Sequence, residues 1–339
     1  MNISAKPNFS TRLAETFTLL SGCWRRRAVA TAILAPAIAL GAPHALADES
    51  GNGYRLPGLD GSFAAVPQPP GWGFAAVYIH FSDGANGSLE TTLGDKITLG
   101  LKALAETALL VPSYTAHDPI LGGQLQLSMG SVVLEGLNVN VTHASINGTQ
   151  LGPESGSLVA PGELYPAAQL RWNFGVNNFM LFADGGIPVG SYDPSRLANT
   201  GKNTFAIDGG AGYTYFDKNT GHEFTGVIGI SNNWPNPATD YRNGNTVHLD
   251  WGASQHLSED FFVGAVGYVY DQITPDTGAG AILGPNLSRA ASIGPQVGFT
   301  NVLGLKGSFL GVKGYYDFYA QRRLNGWNTW LTLSLALGG

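Results

Sequence analysis

Residues 327–337 read Trp-Asn-Thr-Trp-Leu-Thr-Leu-Ser-Leu-Ala-Leu. The odd positions are Trp327, Thr329, Leu331, Leu333, Leu335 and Leu337. The even positions are Asn328, Trp330, Thr332, Ser334 and Ala336. Side chains of an extended chain alternate between two faces, so this stretch is a strand with one greasy face and one mostly small or polar face. The same two-residue period returns upstream. Val247, Leu249, Trp251, Ala253 and Leu257 alternate with Thr246, His248, Asp250, Gly252, Ser254 and His256. Gln124, Gln126 and Ser128 alternate with Leu125, Leu127 and Met129. Gln169, Arg171 and Asn173 alternate with Leu170, Trp172 and Phe174. Lys313, Tyr315, Asp317 and Tyr319 alternate with Gly314, Tyr316, Phe318 and Ala320.

Working outward, thirteen such segments follow one another: 72–82, 96–111, 123–134, 136–146, 163–175, 178–189, 203–217, 221–232, 244–257, 260–272, 287–301, 306–320 and 326–338. Turn residues separate them, as in Asp217-Lys218-Asn219-Thr220-Gly221 and Ser258-Glu259-Asp260. Soluble strands run to about 5–6 residues. Alternating segments of about 10 residues are the signature of a transmembrane β-barrel. The fold class is therefore all-β, an antiparallel up-and-down barrel. Bacterial single-chain barrels have even strand counts, so thirteen segments point to twelve strands, within a range of ten to fourteen. Leu101 to Leu110 is rich in helix formers and competes as a helix. Aromatics near segment ends, among them Trp72, Tyr78, Trp172, Tyr213, Tyr215, Trp234, Tyr241, Trp251, Tyr268, Tyr270, Trp327 and Trp330, are expected to form interfacial girdles.

Composition agrees. Of 339 residues only 12% are charged, while 44% are hydrophobic, 11% are aromatic and 47 are glycine. Disorder needs more charge, a disulfide framework needs paired cysteines, and nucleic-acid binding calls for a basic chain rather than one with net charge -6. Past the N-terminus there is no apolar run long enough for a transmembrane helix.

The N-terminus reads as an export signal. Arg25-Arg26-Arg27 precedes the apolar run Ala28 to Leu40, and Ala45-Leu46-Ala47 closes an A-x-A site. Residues 1–47 are thus a cleaved signal peptide, 48–71 a Pro/Gly-rich segment that hangs in the periplasm or plugs the lumen, and 72–339 the barrel. Without the signal the net charge is -10 over 292 residues, and Cys23, the single cysteine, is gone.

Several ordered blocks carry a resemblance. They are Leu56-Pro57-Gly58 and Pro67-Gln68-Pro69-Pro70-Gly71-Trp72; Asn236-Pro237-Ala238-Thr239-Asp240-Tyr241, then Gly244 and His248-Leu249-Asp250-Trp251; Gly267 to Gln272, Asp276 to Gly280, and Ile293-Gly294-Pro295-Gln296-Val297-Gly298; and Arg322 to Trp327. Across nearly all of the mature chain this pattern resembles the outer-membrane transporter family associated with the meta-pathway of phenol degradation. Asn236, Thr239, Asp240, Tyr241, Gly244, Trp251, Gln272, Gly294 and Pro295 are the motif positions. The resemblance implies an outer-membrane channel of a Gram-negative bacterium that passes aromatic or other hydrophobic compounds. It assigns no catalytic residue.

The residues themselves lead to the same class by another route. Alternation places Gln169, Arg171, Asp208, Thr246, His248, Asp250, Ser254, His256, Lys313 and Asp317 on lumen-facing positions, where charge tunes which solutes pass. Arg171, Lys313, Arg322 and Arg323 face Asp184, Asp208, Asp250 and Asp317 as prospective ion pairs. His248, Asp250, Ser254 and His256 contain the ingredients of a hydrolase. Neighbours on one strand face, however, lie about 6.5–7 Å apart, against the roughly 3 Å that nucleophile and base require. Asp240, Asp271 and Asp276 lack the spacing of a calcium loop, and no nucleotide fingerprint is present. The expectation is a non-enzymatic channel with no cofactor and no metal, whose partners are outer-membrane lipids and small-molecule solutes and not nucleic acid. The competing readings are a general porin for small polar solutes and an outer-membrane lipid hydrolase.

Overall fold

The computed structural model describes residues 53–90, 96–281 and 287–337. The signal segment 1–47 and its cleavage site lie outside the described residues. The strands are β1 (Gly71–Glu90), β2 (Lys96–Thr115), β3 (Gln124–Ile146), the short β4 (Thr149–Gln150) and β5 (Glu154–Ala160), β6 (Leu164–Phe174), β7 (Asn177–Gly186), β8 (Ala206–Asp217), β9 (His222–Asn233), β10 (Thr246–His256), β11 (Phe261–Gln272), β12 (Arg289–Thr300), β13 (Phe309–Gln321) and β14 (Asn325–Ala336). Each pairs antiparallel with its neighbour. β1 pairs with both β2 and β14, and β2 with β3, so the sheet closes on itself. With β4 and β5 appended to the upper part of β3, the closed wall has twelve strands.

Closure leaves the twelve-strand wall without a free edge strand, which a sheet in lipid requires. The turns at 175–176, 218–221 and 257–260 lie at the end where β1 begins and β14 finishes. The longer connections 147–163, 187–205, 234–245 and 273–288 lie at the other. Short turns mark the periplasmic end of such a barrel and long loops the extracellular end.

The greasy face of the opening stretch points outward: Leu331 is 43% exposed, whereas Trp330 on the other face is 2% exposed. Leu181, Phe224, Ile228 and Ile230 are likewise exposed on their strands, making the apolar belt that lipid covers. The polar face points in, with Thr246, His248, Asp250 and Ser254 buried.

Three expectations are corrected. Segments 123–134 and 136–146 are one strand, β3. The register slips from Ala108↔Leu134 to Leu109↔Val132, so Val133 is a bulge residue that reverses the alternation and makes one strand read as two. Residues Leu101 to Leu110 form part of β2, as the alternating segment 96–111 predicts, and pairing with β1 and β3 on its two sides overrides the competing helix propensity. Of the girdle candidates Trp72, Tyr78, Trp234 and Trp327 are exposed, but Tyr241, Tyr268, Tyr270 and Trp330 are buried and do not face outward. At Tyr319 the phase is again reversed by a register shift, this time between β12 and β13, and its side chain is exposed rather than inward.

Candidate functional site: the lumen and the segment within it

Residues 53–70 form no strand, yet they touch the inner face of strands nearly opposite one another in the ring. Proline-rich chain stays extended and unpaired, so its backbone donors and acceptors need partners from the wall. Gly58 and Asp60 donate their backbone N–H groups to the two carboxylate oxygens of Asp250, at 2.9 and 3.1 Å. The Lys313 ammonium donates to the carbonyls of Gly58 and Leu59 at 2.6 and 2.9 Å, and Tyr315 Oη to that of Gly58 at 3.0 Å. Lower down, the Phe63 N–H is shared between Glu223 Oε1 and Thr225 Oγ1, both at 3.1 Å, and the Ala65 N–H reaches Thr214 Oγ1 at 3.2 Å. Gln296 Nε2 donates to Ser62 Oγ at 2.6 Å.

Two side chains of the segment act as anchors. Arg55 is 5% exposed and lies among four carboxylates. Its guanidinium donates to Asp184 at 2.7 Å and to Asp60, and it lies 3.5 Å from Asp208 and 3.9 Å from Asp250. Burial opposes its charge, but Asp60, Asp184, Asp250 and Asp208 outweigh burial and raise its pKa above the ordinary guanidinium value. Its neighbour Tyr54 donates to Asp184 at 3.1 Å and lies against Gly186, where an added Cβ would fall 2.3 Å from the ring. Glycine there makes room for the anchor. The second anchor is Phe63, at φ 68°. It lies edge-on to Phe216, His256 and Phe262, with centroids 5.2, 5.5 and 5.2 Å away.

The sequence-selected inward residues fall into separate groups. Asp208 and His248 meet at 2.9 Å, and Asp250 binds the segment. Ser254 donates to Glu223 at 2.7 Å, while His256 belongs to the aromatic cage around Phe63, so the serine and histidines of the hydrolase constellation bond other partners. Thr246 is buried at the extracellular end of β10. Asp317 accepts from Tyr268 and from the Gly326 N–H. Gln169 accepts from Arg171. Neither Arg171 nor Lys313 forms an ion pair with Asp184, Asp208, Asp250 or Asp317; the cation that meets three of them is Arg55, on the segment. Arg55 was missed because alternation ranks only strand positions, yet it is the one basic residue between Asp48 and Gly71, a signal available in the sequence.

The motif positions build the extracellular rim. Asn236, fully buried, accepts from Asn203 at 2.7 Å and donates to Tyr192 at 2.9 Å. Its backbone carbonyl accepts from Thr239 and Asp240. Asp276 accepts from Tyr241 Oη at 2.5 Å, from the Gly244 N–H at 3.0 Å and from Gln272 Nε2 at 2.7 Å. Asp240, at φ 52°, accepts from the Ala279 N–H at 3.0 Å. These bonds lace loops 187–205, 234–245 and 273–288 together. Trp251 covers Gly267. Gly294 and Pro295 interrupt the ladder between β12 and β13, where proline has no N–H to give. Beside this rim, Ala198 and Leu324 from two loops pack on Leu101, Val139 and Val141 of β2 and β3.

Between the segment and the wall formed by β1, β2, β3 and β6 a cavity of about 1090 Å3 remains. Among the described residues no three His, Cys, Asp or Glu side chains are placed to hold one metal ion.

A sequence profile described as "Putative MetA-pathway of phenol degradation" matches residues 86–333. The fold is similar to that of an outer membrane channel from Pseudomonas putida F1, with TM-score 0.59 and 13% identity over 80% of this chain and 98% of that one. A FadL homologue of Pseudomonas aeruginosa aligns with TM-score 0.36 and 9% identity over 78% of this chain and 89% of that one. No curated protein matches the chain.

Proposed function

The chain belongs to the family named for the MetA-pathway of phenol degradation, and from that premise we infer that it is a passive outer-membrane channel for small aromatic or other hydrophobic compounds, narrowed by its own N-terminal segment. The observation that carries the reading is the way residues 53–70 occupy the lumen. They are held by a buried guanidinium and by side-chain hydrogen bonds from many strands, and they leave a cavity of about 1090 Å3 open beside them. A barrel of about eight strands is filled by its own side chains and one of sixteen is an open pore. At twelve strands, an inserted segment is what sets the free width.

Residues 1–47 serve as the export signal and 53–70 as the plug. The lumen-facing polar groups, Asp184, Asp208, His248, Asp250 and Lys313 among them, work by positioning that plug as well as by facing the solute. Selection follows from the width left beside the segment, from the apolar residues around it and from the polar groups opposite. The family description supports an aromatic solute, and the P. putida channel supports transport over catalysis. The bonding of Ser254 to Glu223, with both histidines engaged elsewhere, argues in the same direction.

The test is planar-bilayer conductance of the refolded mature chain with and without phenol and toluene. Discrete steps blocked by these solutes are expected. Steps indifferent to them replace this reading with a general porin for polar solutes. A folded barrel that never conducts refutes it.

A further inference from the structure

Arg171 is held differently from Arg55. It is 7% exposed and makes three hydrogen bonds: Nε to the Ala64 carbonyl at 2.8 Å, Nη1 to Gln126 Oε1 at 2.8 Å and Nη2 to Gln169 Oε1. All three acceptors are neutral oxygens. A guanidinium carries five N–H donors, so one on each Nη is left over. Among the described residues no carboxylate forms an ion pair with it, whereas Arg55 has four around it. Asp60, the carboxylate acting on Arg171 across the lumen, is already bound to Arg55. A buried charge without a counter-charge is costly, and two glutamines stand here where a compensating Glu would fit.

Arg171, Gln126 and Gln169 line the 1090 Å3 cavity, and so do Ala64, whose carbonyl Arg171 bonds, and Val66 two residues on. The cavity therefore places a cation with spare donors beside apolar side chains of the segment. Convergent polar groups beside apolar surface are a usual make-up of a small-molecule site, and the guanidinium fork matches the two oxygens of a carboxylate.

We propose that this cavity binds a small amphipathic organic anion, an aromatic carboxylate of benzoate size, with its carboxylate on Arg171 and its ring against Ala64 and Val66 of the segment. The assignment deepens the channel reading and rests on it, since it names the solute class that the lumen holds in transit.

The test is equilibrium dialysis of benzoate and of benzyl alcohol, the same ring without the charge, against the full mature chain folded in detergent. Benzoate is expected to bind at least about 10-fold more tightly, the scale of a hydrogen bond to a charged group. Gln169→Glu, nearly isosteric, places a carboxylate on Nη2 and satisfies the cation internally. It should weaken benzoate about 10- to 100-fold and leave benzyl alcohol unchanged. Arg171→Lys should keep the preference for the anion and Arg171→Gln should abolish it. Equal binding of the two probes, no binding of benzoate, or a Gln169→Glu protein that binds benzoate like the parent overturns the proposal. Because the readout is binding, a conducting channel that ignores benzoate sinks this assignment alone. Saturable benzoate binding to a barrel that never conducts sinks the channel reading alone.

Discussion

Arg55→Ala tests the arrangement where it is most exposed to refutation. In the parent, the guanidinium neutralises part of a group of four carboxylates, two of them within 2.7 Å or less and the other two at 3.5 and 3.9 Å. Removing one partner of a buried ion pair costs about 3–5 kcal/mol, because the remaining charges stay buried and uncompensated. That cost falls on docking of the upper segment, so the docked population should drop roughly 100- to 5,000-fold relative to the free one. The lower half keeps its own attachments, through Phe63 to Glu223 and Thr225 and through Ala65 to Thr214. The variant should therefore open partly. Single-channel records should show larger, noisier steps than the parent, but smaller ones than a deletion of residues 53–66. Asp184→Asn keeps an acceptor for Tyr54 and Arg55 and removes only the charge, so its effect should be the smaller one, about 1.5–3 kcal/mol. An Arg55→Ala protein with the parent's conductance, noise and protease resistance of the segment would refute the claim that this side chain holds the plug.

Other perturbations test other parts of the molecule. Phe63→Ala removes the ring from the cage of Phe216, His256 and Phe262 and should cost about 2–4 kcal/mol of docking, read as faster proteolytic clipping between Arg55 and Gln68 in folded barrels. Asp276→Asn weakens the bonds to Tyr241, Gly244 and Gln272; the extracellular loops should become sensitive to protease added outside cells, with urea stability of the barrel little changed. Ile228→Lys places a charge on the lipid face, where it should cost about 2–4 kcal/mol near the midplane, seen as a lower urea midpoint for folding into vesicles. Gly294→Ala brings a Cβ to 1.8 Å from the Gly314 carbonyl oxygen; loss of the heat-modifiable folded band on gels is expected, and normal folding would show that β12 and β13 can separate there.

The wall was legible in the sequence because alternation is a local property. In Trp327 to Leu337 the greasy and polar faces are written residue by residue, and they become the lipid and lumen faces of β14. The reading failed where the period slips, at Val133 in β3 and around Tyr319 in β13, because a bulge adds one residue without any distinctive side chain of its own. Tyr241, Tyr268, Tyr270 and Trp330 show a second limit. Being aromatic and near a strand end does not say whether a ring faces lipid, a loop or the lumen. The lumen was harder still. Inward positions such as His248 and Asp250 follow from period two, but their partners do not, since Asp250 meets Gly58 and Asp60 across 192 and 190 residues of chain. Arg55 lies in chain with no periodicity; being the one basic residue there marks it out, but does not say that it meets Asp184 and approaches Asp208 and Asp250.

The seam between β1 and β14 has a consequence for how the molecule is made. It joins residues 73–84 to residues 325–336, so the final ladder forms only after nearly the whole polypeptide has been laid down. Pairings of such long sequence separation are entropically expensive and slow. Residues 53–70 immediately precede β1, and their bonds reach β6 through β13. Once the ring is shut, they can enter only lengthwise through its mouth. If they dock first, the half-built sheet already has something to wrap around, and Arg55 gathers strands that would otherwise repel one another through Asp184, Asp208 and Asp250. The same segment that narrows the finished pore is then also the mandrel on which the ring is wound, and shortening it should slow assembly as well as widen the passage.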